Sequence, residues 1–125
     1  RVPLGALVGA RSGDKGGDAN VGVWLRPTGD TALDDRRWIW LTQELDAAGV
    51  RALLPESLRL EVDVHHLANL RAINVVIHGL LGRGVADSTS LDPQAKGLGE
   101  HLRARYVDVP GDLLTTDERA QAVTP

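Results

Sequence analysis

Residues 11–18, "RSGDKGGD", gather an arginine, a lysine, two aspartates and three glycines into eight positions. Three chemistries suit that composition. Glycine backbone amides with Arg11, Ser12, Gly13, Lys15 and Gly16 around them suit an anion such as a phosphate or carboxylate. Asp14 or Asp18 suits a general base, with Lys15 as its electrostatic stabiliser. The same glycines also suit a hairpin, where they supply positive φ while the aspartates bond their own backbone. The stretch is not a Walker A loop, because Lys15 is followed by two glycines and then a strand pattern. It is not a Rossmann fingerprint either, because no βαβ unit follows.

Two further stretches bear on the choice. Asp92 stands at the cap position of a helix whose first residue is Pro93, and Lys96 falls in its first turn. A cation there opposes the helix dipole, which makes sense where an anion, bound or protein-borne, sits at the helix start. Gly97 and Gly99 follow, each costing about 1 kcal/mol against alanine, and point to close approach of a backbone or ligand. The plainer reading is a solvated Lys96 and glycines that make room for packing. Asn74 lies on an apolar stripe, where a buried amide needs partners or costs about 1–3 kcal/mol. It either pins its element to a neighbouring loop or lines a pocket. His65 and His66 are adjacent, His78 and His101 are isolated, and none has metal-ligand spacing, so no metal is expected. Ser12 has no G-x-S-x-G elbow around it, and no nucleophile–base pair is evident.

The elements that must position these residues follow from periodicity. Residues 4–10 read as a strand that is apolar on both faces. Residues 19–25 alternate Ala19, Val21, Val23 and Leu25 against Asn20, Gly22 and Trp24, with the first set facing a core. Two strands with the glycine stretch between them predict a hairpin with a wide loop. Helices are expected over 34–41 and 43–54, with Thr42 as the cap between them and Pro55 as the stop. Residues 58–65 alternate again, with Leu58, Leu60, Val62 and Val64 inward. Residues 67–82 carry a β-branched centre, yet their length and the spacing of Leu67, Leu70, Asn74, Ile77 and Leu81 predict a helix. A turn at 82–84, a weak strand over 85–91, the Asp92-capped helix and a short strand over 106–110 complete the domain, residues 1–110. Residues 111–125 form a polar tail, holding either one helical turn from Thr116 or a loose arm. Trp38 and Trp40 cannot share one helical face, so one of them, or Trp24, is expected at the surface. The expected fold is α+β, a mainly antiparallel sheet with helices on one face in a ferredoxin-like sandwich.

Composition bounds the function. At 125 residues and 42% hydrophobic content the chain forms one domain with a core of its own. A net charge of −3 argues against nucleic-acid and anionic-membrane partners. The absence of cysteine excludes disulfides and thiolate chemistry. With no long apolar run, a cytoplasmic protein is expected. Lacking methionine, the chain is expected to have lost its initiator or to come from something longer. Twelve arginines against two lysines make Lys15 and Lys96 stand out, and both lie in glycine-rich sequence.

"ARSGDKGGDANVGVW", "NLRAINVVIHGLLGRG" and "SLDPQAKGLGEHL" together resemble the AtuA-like (acyclic terpene utilisation) family, specifically its small C-terminal ferredoxin-fold domain. The likeness spans roughly residues 4–108. It implies a ferredoxin-like domain that is usually fused behind a larger one and serves bacterial breakdown of terpenoid or branched acyl-CoA compounds. Carried over, the family's motif residues are Arg11, Ser12, Gly13, Asp14, Lys15, Gly16, Asn20, Asn74, Asp92 and Lys96. The expectation is therefore an accessory domain with an anion-binding or structural centre. The partner is a separately encoded large-domain protein, a second copy of the chain, or both; an acyl-CoA is the candidate ligand, and no cofactor is expected. In the structural version Asp14 and Lys96 form an internal ion pair. The alternatives are a stand-alone enzyme using the loop Asp and Lys residues, and a homo-oligomeric scaffold built on the tryptophans and one sheet face.

Overall fold

The period-two pattern of residues 19–25 folds as expected and organises the rest. The computed structural model describes residues 1–80 and 97–123, with the side chain of Lys15 outside the description. Four strands form an antiparallel sheet in the order β2-β3-β5-β4: β2 (Val8–Lys15), β3 (Asp18–Leu25), β4 (Val62–Leu67) and β5 (Ala72–Ile77). A separate two-stranded ribbon pairs β1 (Val2–Pro3) with β6 (Tyr106–Val107). Between β3 and β4 run α1 (Thr31–Glu44) and α2 (Ala47–Leu53); residues 97–104 form α3, and Thr116–Gln121 form α4. This is an α+β, ferredoxin-like architecture, with one sheet face covered by helices.

The covered face is the core. Val8, Ala19, Val21, Val23, Ile73, Val75 and Ile77 are buried against Leu41, Leu45, Val50, Leu98 and Leu102 from the helices. Each buried Val, Leu or Ile among them contributes about 1.5–3 kcal/mol of hydrophobic burial. Trp38 of α1 meets His66 of β4 edge-on, with ring centroids 5.9 Å apart. Of the three tryptophans, Trp24 is the one at the surface, on the opposite sheet face.

Several expected elements move. Among the described residues of the helix expected over 67–82 no α-helix forms: Leu67 ends β4, Ala68–Leu70 make a 3-10 turn, and residues 72–77 become β5. Ile73, Val75 and Ile77 satisfy a strand's alternation, and β5 sits between β3 and β4, where β-branched residues pack well. Arg71, in the left-handed region at φ 46°, closes the β4–β5 connection. The strand expected over 58–65 begins only at Val62, because Pro55 starts a 3-10 turn and the amides of Ser57, Leu58 and Leu60 bond three residues back. Leu58 is consequently exposed. The strand expected over 4–10 is likewise displaced, since Leu4–Ala6 form a 3-10 turn and β2 starts at Val8. Thr42 is not a cap: its hydroxyl donates to the Ile39 carbonyl inside α1, a 2.8 Å bond, and Asp46 caps α2 by accepting from the Gly49 amide at 2.7 Å. The strand expected over 85–91 and the Asp92–Pro93 helix start lie outside the described residues.

The segment after β6 is anchored. Arg37, buried on α1, donates from Nε to the Leu113 carbonyl at 2.8 Å and pairs through its guanidinium with Glu118. Glu118 in turn completes a capping box with Thr115 at the start of α4.

Candidate functional site

The glycine stretch is not a wide loop. Strand pairing continues to Lys15 opposite Asp18, leaving Gly16–Gly17 as a two-residue turn, with Gly16 at a left-handed φ of 67°. Short hairpins demand such backbone angles, and glycine adopts them without strain. Residues 11–15 are therefore strand, and alternation divides them between two faces.

Ser12 belongs to the covered face. The Gly99 amide of α3 donates to its hydroxyl at 2.9 Å. A Cβ at Gly99 would lie 3.4 Å from that Oγ and 3.5 Å from the Ala10 methyl, ordinary contact distances, so α3 lies directly against β2 with room for little more than a methyl. The close approach expected of this helix is thus met by a strand of the protein itself. At Gly97 a Cβ would meet nothing within 4 Å. Asp14 pairs with Ala19 at the exposed end of the covered face.

Arg11, Gly13, Asn20 and Asn74 occupy the open face. Arg11 pairs with Gly22, which pairs with Asn74, which pairs with His65; one step along, Gly13, Asn20, Val76 and Asp63 make the next row. Asn20 and Asn74 are thus diagonal neighbours on adjacent strands. Asn74 is half-buried on a strand, not on the apolar stripe of a helix. A depression of about 200 Å³ opens here, lined by Asp14, Asp18, Ala19, Asn20, Asn74 and Val76. Opposite Asn20, Gly13 keeps the floor low; a Cβ there would come within 3.5 Å of the Asn20 Oδ1. Of the ten candidates, Asp14, Asn20 and Asn74 line the depression, Arg11 and Gly13 adjoin it, Lys15 and Gly16 form the hairpin end, and Ser12 is turned away. Asp92 and Lys96 lie outside the described residues, as does the proposed Asp14–Lys96 pair.

Nothing in the residue spacing points to the cluster beside this depression. His78 donates from Nδ1 to Asp18 at 3.2 Å and from Nε2 to Asp63 at 2.8 Å, while the Gly79 amide donates to the other Asp18 oxygen at 2.8 Å. The hydrogen bond that His78 donates to Asp63 raises the His78 pKa above its ordinary 6.5; partial burial opposes this, and Asp18 reinforces it. The Asp18 pKa is lowered, chiefly by the Gly79 amide, against partial burial and with help from His78. Two acceptors on one ring select the imidazolium, which clamps β3 and β4 to the end of β5. The three residues are far apart in sequence, and only the strand register joins them. Chemically, the clamp ties up both His78 nitrogens and leaves Asp18 a weak base. Among the described residues no group of His, Asp or Glu is arranged to hold a metal ion.

The arrangement is that of an α+β domain whose polar side chains crowd one end of a sheet face that no helix among the described residues covers. The chain belongs to the AtuA ferredoxin-like domain family, whose model matches residues 2–108. Neither a curated protein nor a solved structure matches it. No helix among the described residues is long and apolar enough to cross a membrane.

Proposed function

We propose that this chain is the small accessory domain of a bacterial catabolic system for terpenoid or branched acyl-CoA compounds, working in the cytoplasm beside a separately encoded AtuA-type large-domain protein. Membership of the family carries the first half of this reading. An anion-binding centre at the 11–18 hairpin belongs to the same reading, and the observation that supports it is the meeting of Asn20, Asn74 and the bare backbone of Gly13 around one depression at the hairpin end. Amides that both donate and accept, together with Arg11 and the two lysines, suit a phosphate or carboxylate ligand such as an acyl-CoA headgroup. Asp14 and Asp18 line the same depression, so an anion there needs the charge of Lys15 and Lys96 to outweigh them.

Thermal unfolding against phosphate, sulfate, coenzyme A and branched acyl-CoAs tests the ligand. At 100 times its dissociation constant a ligand adds about 2.7 kcal/mol to the folded state. The expected result is a shift for wild type that is lost in Asn74→Ala and in Lys15→Ala/Lys96→Ala. No shift with any of these anions removes the ligand reading. Co-expression with the large-domain protein tests the partner separately, and failure to co-purify removes that half.

A further inference from the structure

The two edge strands of the open face differ in height and in charge. On β2 the outward positions are Gly9, Arg11 and Gly13, two of them without a side chain and the third a cation. On β4 they are Asp63, His65 and Leu67, all bulky and one of them an anion. Trp24 of β3 lies across Gly9, where a Cβ would fall 2.5 Å from the indole ring, and remains 41% exposed; Leu67 is 44% exposed in the same row. Among the described residues, neither the Arg11 nor the His65 side chain has a hydrogen-bond or ion-pair partner. Asp63 bonds His78 through Oδ2, leaving Oδ1.

A half-turn about an axis parallel to the strands lays β4 of one copy over β2 of another and keeps each row in place. Leu67 then meets the partner's indole above Gly9, Asp63 fills the space over Gly13, and Arg11 faces His65 beside Asp63. Raised meets low, and cation meets anion. We propose that the open sheet face is an isologous interface for a second copy of this chain, with β4 of each copy seated on β2 of the other. Aligned sheet-on-sheet packing about 10 Å apart accommodates such side chains, and a twofold interface uses the same patch twice. The inference does not depend on the ligand reading, because its main apolar contact, Leu67 against Trp24, lies in the row beyond the depression.

Sedimentation velocity of the full chain over a concentration series is the test. The expected result is a dimer that dissociates on dilution, becomes monomeric in Trp24→Ser/Leu67→Ser, and has a dissociation constant raised about tenfold in Arg11→Glu. The chain has no cysteine, so Arg11→Cys/His65→Cys places the only thiols. Within one chain these positions are about 14 Å apart, three strand spacings, and a bismaleimide too short for that gap links only partners. Crosslinked dimer in the double variant and not in either single variant fixes the orientation. A wild type that is monomeric throughout overturns the proposal, as does a dimer indifferent to Trp24→Ser/Leu67→Ser. If the chain is monomeric alone but loses a co-purified large-domain protein on Trp24→Ser, the face belongs to that partner and the proposal fails.

Discussion

On the covered face of the sheet, β3 and β5 present Ala19, Val21, Val23, Ile73, Val75 and Ile77; on the open face the same strands present Asn20, Gly22, Trp24, Asn74 and Val76. One backbone ladder serves both. The covered side is close-packed, where the removal of a methylene is felt, and stability concentrates there. The open side asks little of its residues beyond tolerance of the pleat. Glycines and amides that would weaken a core can therefore collect on it and be used for recognition.

The sharpest way to test that contrast is to cut equally into both sides. In dilute solution, where the chain is a single copy, Ile73→Ala should cost about 2–5 kcal/mol in denaturant unfolding, whereas Val76→Ala, three residues further along β5 on the open face, should cost under about 1 kcal/mol. Equal losses would show that the open face is covered in solution. Next is the seam between β2 and α3. Gly99→Val forces branched methyls toward Ser12 and Ala10 and should cost about 1–3 kcal/mol, while Gly99→Ala, whose methyl fits in contact, should be tolerated; thermal melts of the pair decide it.

His78→Asn tests the clamp through pH. The folded-state pKa of His78 is raised, so its contribution is complete below the ordinary 6.5 and fades as pH climbs through the folded value. Asp18 is lowered, so its contribution is present above the ordinary 3.8 and is lost as pH falls through the folded value. The stability gap between wild type and His78→Asn should be widest between about pH 4 and 6.5 and should close in alkaline solution. A gap independent of pH would reduce the clamp to packing. The smallest effect belongs to Gly9→Ala. Its methyl displaces the Trp24 indole, which should red-shift the tryptophan emission at a cost under about 1 kcal/mol.

Much of this contrast was legible in the sequence, but unevenly. The alternation of residues 19–25 named the inward residues of β3 directly, and Pro55 ended α2. The tight hairpin was hidden because Gly13, Asp14 and Lys15 are poor strand formers, held extended by pairing with β3 and not by their own preference. Residues 67–82 misled for a different reason: Leu67 and Leu70, from the end of β4 and its following turn, fell into rhythm with Ile77 and imitated a helical face. Asn74 stood out as an amide among apolar residues and Asn20 came from the family resemblance, and β-register explains why they belong together. His78, Asp18 and Asp63 carried no sequence signal, since a clamp of this kind exists only once three strands are in register.

Arg37 has a consequence for where this fold can be cut. Its side chain is 2% exposed, and its partners, the Leu113 carbonyl and Glu118, both lie beyond residue 108, where the family match stops. A chain trimmed to the matched stretch would lose both hydrogen-bond partners of the guanidinium, leaving Asp34 as its nearby anion, and should be destabilised by up to about 3–5 kcal/mol. In this protein the smallest recognisable unit and the smallest stable unit are therefore different lengths, and evolution or engineering that shuffles the domain has to carry α4 along with it.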